Sequence, residues 1–327
     1  MSEPDYGRDG PPDRPVSSPA ARPAGAPSLS QSQKLSVGLI TGVALVLFVV
    51  VRLLPVGSSV NHMDFRMEGR GAIEFCDPAN PQFIPVVAVR SPVVMTLKSE
   101  KPPVRDEPAE FTLTLRTASG KPIGPADLIV AHTEKLHLLI ADPTLADYQH
   151  IHPVPGRKNG EWKFTLTPHR SGAYRVFADF TPAATQRGLY ASADFQVPGT
   201  VPTVFQQGNT TARQRGLLFT LEMAATLRAG QPSDLRFRIE SQGKVKEPVP
   251  LQPVMGAFAH LVAFDEARTG FAHLHPAETD LSKPPDAVRP ELNFKVTIPQ
   301  SGRYVIWAQV NLGGDEEFVP FWIEVLP

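Results

Sequence analysis

The chain has 327 residues, 35 of them proline and one of them cysteine, and a formal net charge of −1. With 20% charged residues in near balance there is no electrostatic footprint for nucleic acid, and a single cysteine excludes an intrachain disulfide. Proline interrupts helices and sits at strand ends and turns, so its abundance points to an all-β protein with long connections.

Residues 1–34, rich in Pro, Ser, Ala, Gly and Arg and without apolar periodicity, read as a disordered tail. From Leu35 to Leu54, fourteen of twenty residues are Leu, Ile, Val or Phe, each favouring insertion by roughly 0.3–0.6 kcal/mol. At about 1.5 Å per residue this run spans a hydrocarbon core of ~30 Å, so one transmembrane helix is expected over 35–54. Arg52 is close enough to its end to snorkel. A cleaved signal peptide, with Val56 and Ser58 as small cleavage-site residues, is the rival reading; the long preceding segment and the length of the run speak against it. Arg22 and Lys34 on one side and Arg52, Arg66 and Arg70 on the other leave orientation open by charge. A start-proximal helix before a large body favours a single-pass protein with its C-terminal domains periplasmic or extracellular. Residues 55–91 read as a linker or added strand on the module that follows. Cys76 within it is either a metal-binding thiolate or, more plainly, a buried inert cysteine.

The remainder repeats. Met95–Pro153 and Phe219–Pro276 align with one residue difference in length, and FTLTPHRSGAYRVFADF (164–180) answers FKVTIPQSGRYVIWAQV (294–310). Each copy holds Ser-Gly-x-Tyr, at 171–174 and 301–304, and closes on an alternating strand, 192–197 and 320–325. The expected fold is all-β: two tandem immunoglobulin-like β-sandwiches, 92–199 and 200–327, after one N-terminal transmembrane helix.

Each module carries H-x12-H-x-H-P, as His137, His150, His152 and Pro153, then as His260, His273, His275 and Pro276. Strands 136–141 and 148–152 form a hairpin if Ala141 opposes Tyr148. That register sets Leu139 opposite His150 and His137 opposite His152, and puts all three imidazoles on one face. In the second copy Phe264 faces Phe271, Val262 faces His273 and His260 faces His275. Three neutral imidazoles that close can converge on one transition-metal ion, Zn(II), Cu(II) or Ni(II). A fourth ligand is available five residues before the first histidine, His132 in one copy and Met255 in the other, the methionine favouring copper over zinc. Asp179, whose counterpart is Gln309, is a further candidate partner. The competing reading is of ordinary strand histidines hydrogen-bonded to their neighbours.

With HIHP and HLHP ending hairpins in tandem sandwiches behind an anchor, the sequence resembles uncharacterised bacterial membrane-anchored proteins. These are similar to the YtkA-like and CopC-like periplasmic copper-handling domains. The resemblance covers residues ~92–327 and implies copper handling on the outer face of a membrane, with a membrane metal transporter or a cuproenzyme as partner. The chain departs from the CopC-like pattern in having no N-terminal histidine ligand and no methionine-rich loop.

The leading expectation is therefore a non-enzymatic metal chaperone or buffer bound to a membrane. The alternative is a protein–protein interaction module with structural histidines. A metalloenzyme has little support, since Glu134 has no matching acid near Ala257, and no P-loop, dinucleotide fingerprint, nucleophile elbow or C-x-x-C is present.

Overall fold

The computed structural model of the protein describes residues 29–53, 60–65, 81–203, 206–243, 245 and 247–327. Cys76, residues 1–28 of the expected tail and most of the linker lie outside them. The chain divides into two compact units, Met1–Pro55 and Val56–Pro327.

The first unit carries helix α1, Gln31–Leu53, long and apolar enough to cross a membrane. It begins before the expected Leu35, because Ser30 and Gln33 form a reciprocal cap: the Gln33 amide donates to Ser30 Oγ at 3.2 Å and the Ser30 amide to Gln33 Oε1 at 2.9 Å. Residues 31–34, assigned by composition to the tail, are thus helical.

The second unit holds both modules. Module one contains β1 (Val93–Ser99), β2 (Ala109–Thr117), β3 (Leu128–Ile129), β4 (Leu136–Ala141), β5 (Tyr148–Ile151), β6 (Val154–Pro155), β7 (Glu161–Leu166), β8 (Gly172–Pro182) and β9 (Leu189–Val197). One sheet runs β1-β2-β7-β6, and the other runs β3-β8-β4-β5 with β9 also on β8. Module two contains β10 (Thr211–Gln214), β11 (Leu217–Met223), β12 (Pro232–Ser241), β13 (Leu251–Gln252), β14 (His260–Asp265), β15 (Phe271–Leu274), β16 (Glu291–Thr297), β17 (Gly302–Leu312) and β18 (Asp315–Val325). Its sheets are β10-β11-β12-β16 and β13-β17-β14-β15, with β18 on β17. Each module is a sandwich of two such sheets, as the alternation in β2 and β12 requires: Phe111, Leu113 and Leu115, like Leu235, Phe237 and Ile239, are buried. In each Ser-Gly-x-Tyr the tyrosine hydroxyl ties the strand start to backbone four residues upstream. Tyr174 accepts from the Arg170 amide at 2.9 Å, and Tyr304 donates to the Gln300 carbonyl at 3.0 Å.

The strands that carry the histidines have no exposed face. All of β4 is buried. Leu136, Leu138 and Ile140 enter the core of module one, whereas Leu139 and Ala141 join Tyr148, Phe177 and Tyr190 in a separate cluster with Val262, Phe264, Phe271, Val305, Trp307 and Trp322 of module two. Strand β14 is divided the same way, with Leu261 and Ala263 inward and Val262 and Phe264 in the shared cluster. The β4 and β14 sheets therefore pack face to face, and the modules share an apolar seam.

The segment before module one divides between the two modules. Residues His62–Phe65 form a 3-10 turn with Phe65 in the core of module one, and Asp64 pairs with Lys121 at 2.8 Å. Phe83, however, enters the core of module two, and Ile84 exchanges backbone hydrogen bonds with Phe271 at 2.7 and 3.1 Å. Gly270 permits that approach, since a Cβ there would lie 1.8 Å from the Ile84 carbonyl oxygen. This stretch thus joins the second module through isolated bridges, where it finds the unpaired backbone of Phe271.

Candidate metal centre

Both hairpins adopt the register that the sequence implies. Leu139 opposes His150 and Ala141 opposes Tyr148; Val262 opposes His273 and Phe264 opposes Phe271. The three imidazoles of each copy consequently share a face, and each triad presents three ring nitrogens within 4.8 Å of one another, a grouping that could hold a metal ion. In the first triad His137 Nδ1 lies 3.2 Å from His150 Nε2 and 3.1 Å from His152 Nε2. Tetrahedral ligation at metal–nitrogen distances of ~2.0–2.1 Å places donor atoms ~3.3–3.4 Å apart, so this spacing suits a common ion.

Protonation is fixed from outside the triad. His137 Nε2 donates to the Ala131 carbonyl at 2.9 Å, which leaves Nδ1 as a lone pair. His150 Nδ1 donates to Gln309 Oε1 at 2.8 Å, and that oxygen is identified because Gln309 Nε2 donates to Glu316 Oε2 at 2.7 Å. The inward nitrogens of His137 and His150 are therefore both lone pairs, and two lone pairs facing each other need a cation between them or a charged ring. His152 can satisfy one by donating. It cannot satisfy both through one N–H.

The second triad is drier. His260 is fully buried with neither ring nitrogen hydrogen-bonded, and His273 Nε2 and His275 Nε2 are buried without partners. Leaving such an atom unpaired costs about 1–3 kcal/mol. His273 Nδ1 is held by Asp179 Oδ2 at 3.2 Å, which again aims the bare Nε2 inward. Burial is the leading cause that holds every one of these rings below its ordinary pKa. The shift is large for His150, His260, His273 and His275, with the neighbouring imidazoles adding to it, and less marked for His137, His152 and His132. The rings are thus neutral near pH 7, the form that binds metal.

Because both histidine faces point into the seam, the triads meet. The His273 ring centre lies 5.4 Å from that of His150 and 5.8 Å from that of His137. His132 stacks on His275 at 3.6 Å, against 6.2 Å to His137 in its own module, so it packs on the other module's triad. Met255 occupies the matching turn position, half-buried. The two turns are alike. Ala131 and Glu134 exchange backbone hydrogen bonds around His132 (φ 52°) and Thr133 (φ 73°), as do Val254 and Ala257 around Met255 (φ 48°) and Gly256 (φ 78°). A Cβ on Gly256 would sit 3.7 Å from Thr133 Cγ2, so the turns touch. Thr133 is β-branched in left-handed backbone, a strained conformation inside the turn closed by Ala131 and Glu134.

The mutual docking of the triads was missing from the sequence reading. Its signal was present: LHLLIA and HLVAFD are nearly unbroken apolar runs, the mark of strands buried on both faces. Asp179, a candidate partner by sequence, and its counterpart Gln309 each serve the other module's histidine.

A family model described as Domain of unknown function (DUF8832) matches residues 89–199 and again 212–326. No curated protein matches the chain. Among solved structures, a Salmonella alpha-2-macroglobulin mutant is 13% identical over 72% of this chain and 16% of its own, with a TM-score of 0.24. A trypsin-activated alpha-2-macroglobulin from Escherichia coli is 12% identical over 72% and 18%, at a TM-score of 0.22. A protein of Corynebacterium diphtheriae described as membrane anchored is 9% identical over 71% and 59%, at a TM-score of 0.24. The chain thus spans less than a fifth of the macroglobulins and about three fifths of the third protein.

Proposed function

From a chain that belongs to the DUF8832 family through two tandem copies of its domain, we propose a membrane-anchored protein that binds transition-metal ions in its histidine triads and buffers or carries them without catalysing a reaction. The observation that carries this reading is the set of inward-facing ring nitrogens: His137 Nδ1, His150 Nε2 and His273 Nε2 are left as lone pairs by hydrogen bonds on the far side of the ring, and His260 and His275 add buried nitrogens without partners. A structural histidine in a core is expected to have its nitrogens paired. Here four ring nitrogens of the second triad have no partner among the described residues, and in the first triad two lone pairs face each other. Imidazole donors and the Irving–Williams order favour copper over zinc. Helix α1 serves as the anchor, and the modules face the periplasm or extracellular space, where they would meet a membrane metal transporter or a cuproenzyme.

The test is calorimetric titration of the full chain in detergent with Cu(II) and with Zn(II). Two equivalents are expected, and His150→Ala and His273→Ala should each lose at least one. Unchanged stoichiometry in both variants would instead support the interaction module with structural histidines.

A further inference from the structure

We propose that the two triads are one binuclear centre built across the module seam, in which Gln309 and Asp179 are positioning residues that each module lends to the other's metal ligands. This rests on the metal-binding reading and adds to it that neither site is complete within its own module.

The argument begins with the strand pairs. Asp179 on β8 lies beside His137 of β4, and Gln309 on β17 beside His260 of β14, so the two are equivalent positions of the repeat. If each module were self-contained, each would orient a histidine of its own triad. The hydrogen bonds run the other way. Gln309 of module two accepts from His150 of module one, and Asp179 of module one accepts from His273 of module two. The exchange is reciprocal and follows the internal symmetry of the repeat, which an accidental contact would not do. It also fixes the one tautomer that leaves Nε2 of His150 and of His273 free to ligate. The ring centres of these two histidines are 5.4 Å apart, so ions held by the two triads are close neighbours. His132 extends the exchange, since a residue of module one covers His275 of module two.

Behind Gln309 stands Glu316, which receives its amide nitrogen at 2.7 Å and prevents the side chain from flipping. Without that lock the amide could present a donor to His150 and reverse its tautomer. Phe177, Phe264 and Phe271 are buried in the same seam and pack on one another.

The experiment uses the full chain in detergent with Cu(II) as the probe. At two equivalents the electron paramagnetic resonance spectrum should show dipolar broadening and a half-field transition from coupled ions. Two uncoupled copper signals would overturn the proposal. Cross-module variants give a second reading. With module two's triad removed by His260→Ala and His275→Ala, Gln309→Leu should weaken the remaining site about 10–100-fold and alter its copper spectrum. With module one's triad removed by His137→Ala and His152→Ala, Asp179→Leu should do the same, and Asp179→Asn, which keeps an acceptor, should recover part of the loss. Affinities and spectra indifferent to both substitutions would overturn it. Failure of copper to bind at all would instead reject the metal-binding reading beneath it. The spectrum of the unsubstituted chain decides the matter even if a variant does not fold.

Discussion

The two hairpins share strand register, histidine spacing and turn geometry, yet their imidazoles stand in different surroundings. In module one, His137 and His150 use their outward nitrogens on Ala131 and Gln309, and the inward nitrogens lie 3.1–3.2 Å apart. In module two, four ring nitrogens of His260, His273 and His275 have no partner among the described residues, and the carboxylate of Asp179 orients His273. Duplication fixed the frame, then, while the groups behind the ligands diverged. A neutral amide stands behind one site and an acid behind the other. Identical ligands with different second partners should differ in affinity and acid sensitivity, and those differences can be measured.

The largest expected effect is on the apolar seam that both sites share. Phe264→Ala removes a fully buried ring between Tyr148 and Phe177 and should cost about 3–5 kcal/mol in denaturant unfolding. Metal comes next. At a free concentration one hundred times its dissociation constant, each ion should stabilise the fold by about 2.7 kcal/mol. Chelation should remove that increment, seen as a fall in Tm by differential scanning fluorimetry.

Smaller effects separate the modules. His260→Leu replaces an imidazole with two unpaired buried nitrogens, so the metal-free chain should gain about 1–3 kcal/mol while losing binding. His137→Leu, which gives up a hydrogen bond to Ala131, should lose about 1 kcal/mol in the same assay. Opposite signs would support the contrast, and equal losses would remove it.

Acid should act in one direction. Burial lowers these histidines below their ordinary value of 6.5 in the folded chain, so below that pH the unfolded chain holds more protons. Stability of the metal-free protein is full above about pH 6.5 and is lost as pH falls, by at most about 1.4 kcal/mol per pH unit for each such ring. His275 is held further below its ordinary value than His152. His275→Leu should therefore relieve acid sensitivity more than His152→Leu, as judged by urea midpoints between pH 7 and 5.

Much of the site was legible because a period-two strand leaves little freedom. Once Ala141 opposes Tyr148, the face of His137, His150 and His152 follows, and Val262 opposite His273 repeats the inference independently. The seam was less legible, since a buried face says that something covers it but not what. The stretch at Phe83 and Ile84 went to module two because Phe271 offered free backbone there, which depends on tertiary placement. The early start of α1 was local and readable in Ser30 and Gln33, but composition drew attention elsewhere.

Anomalous diffraction from crystals of the copper-loaded chain would test the central claim most directly. The account expects two peaks on opposite sides of the module seam, one amid the rings of His137, His150 and His152 and the other amid His260, His273 and His275. Ordered metal elsewhere on the chain, with both sets of rings bare of anomalous density, would contradict it.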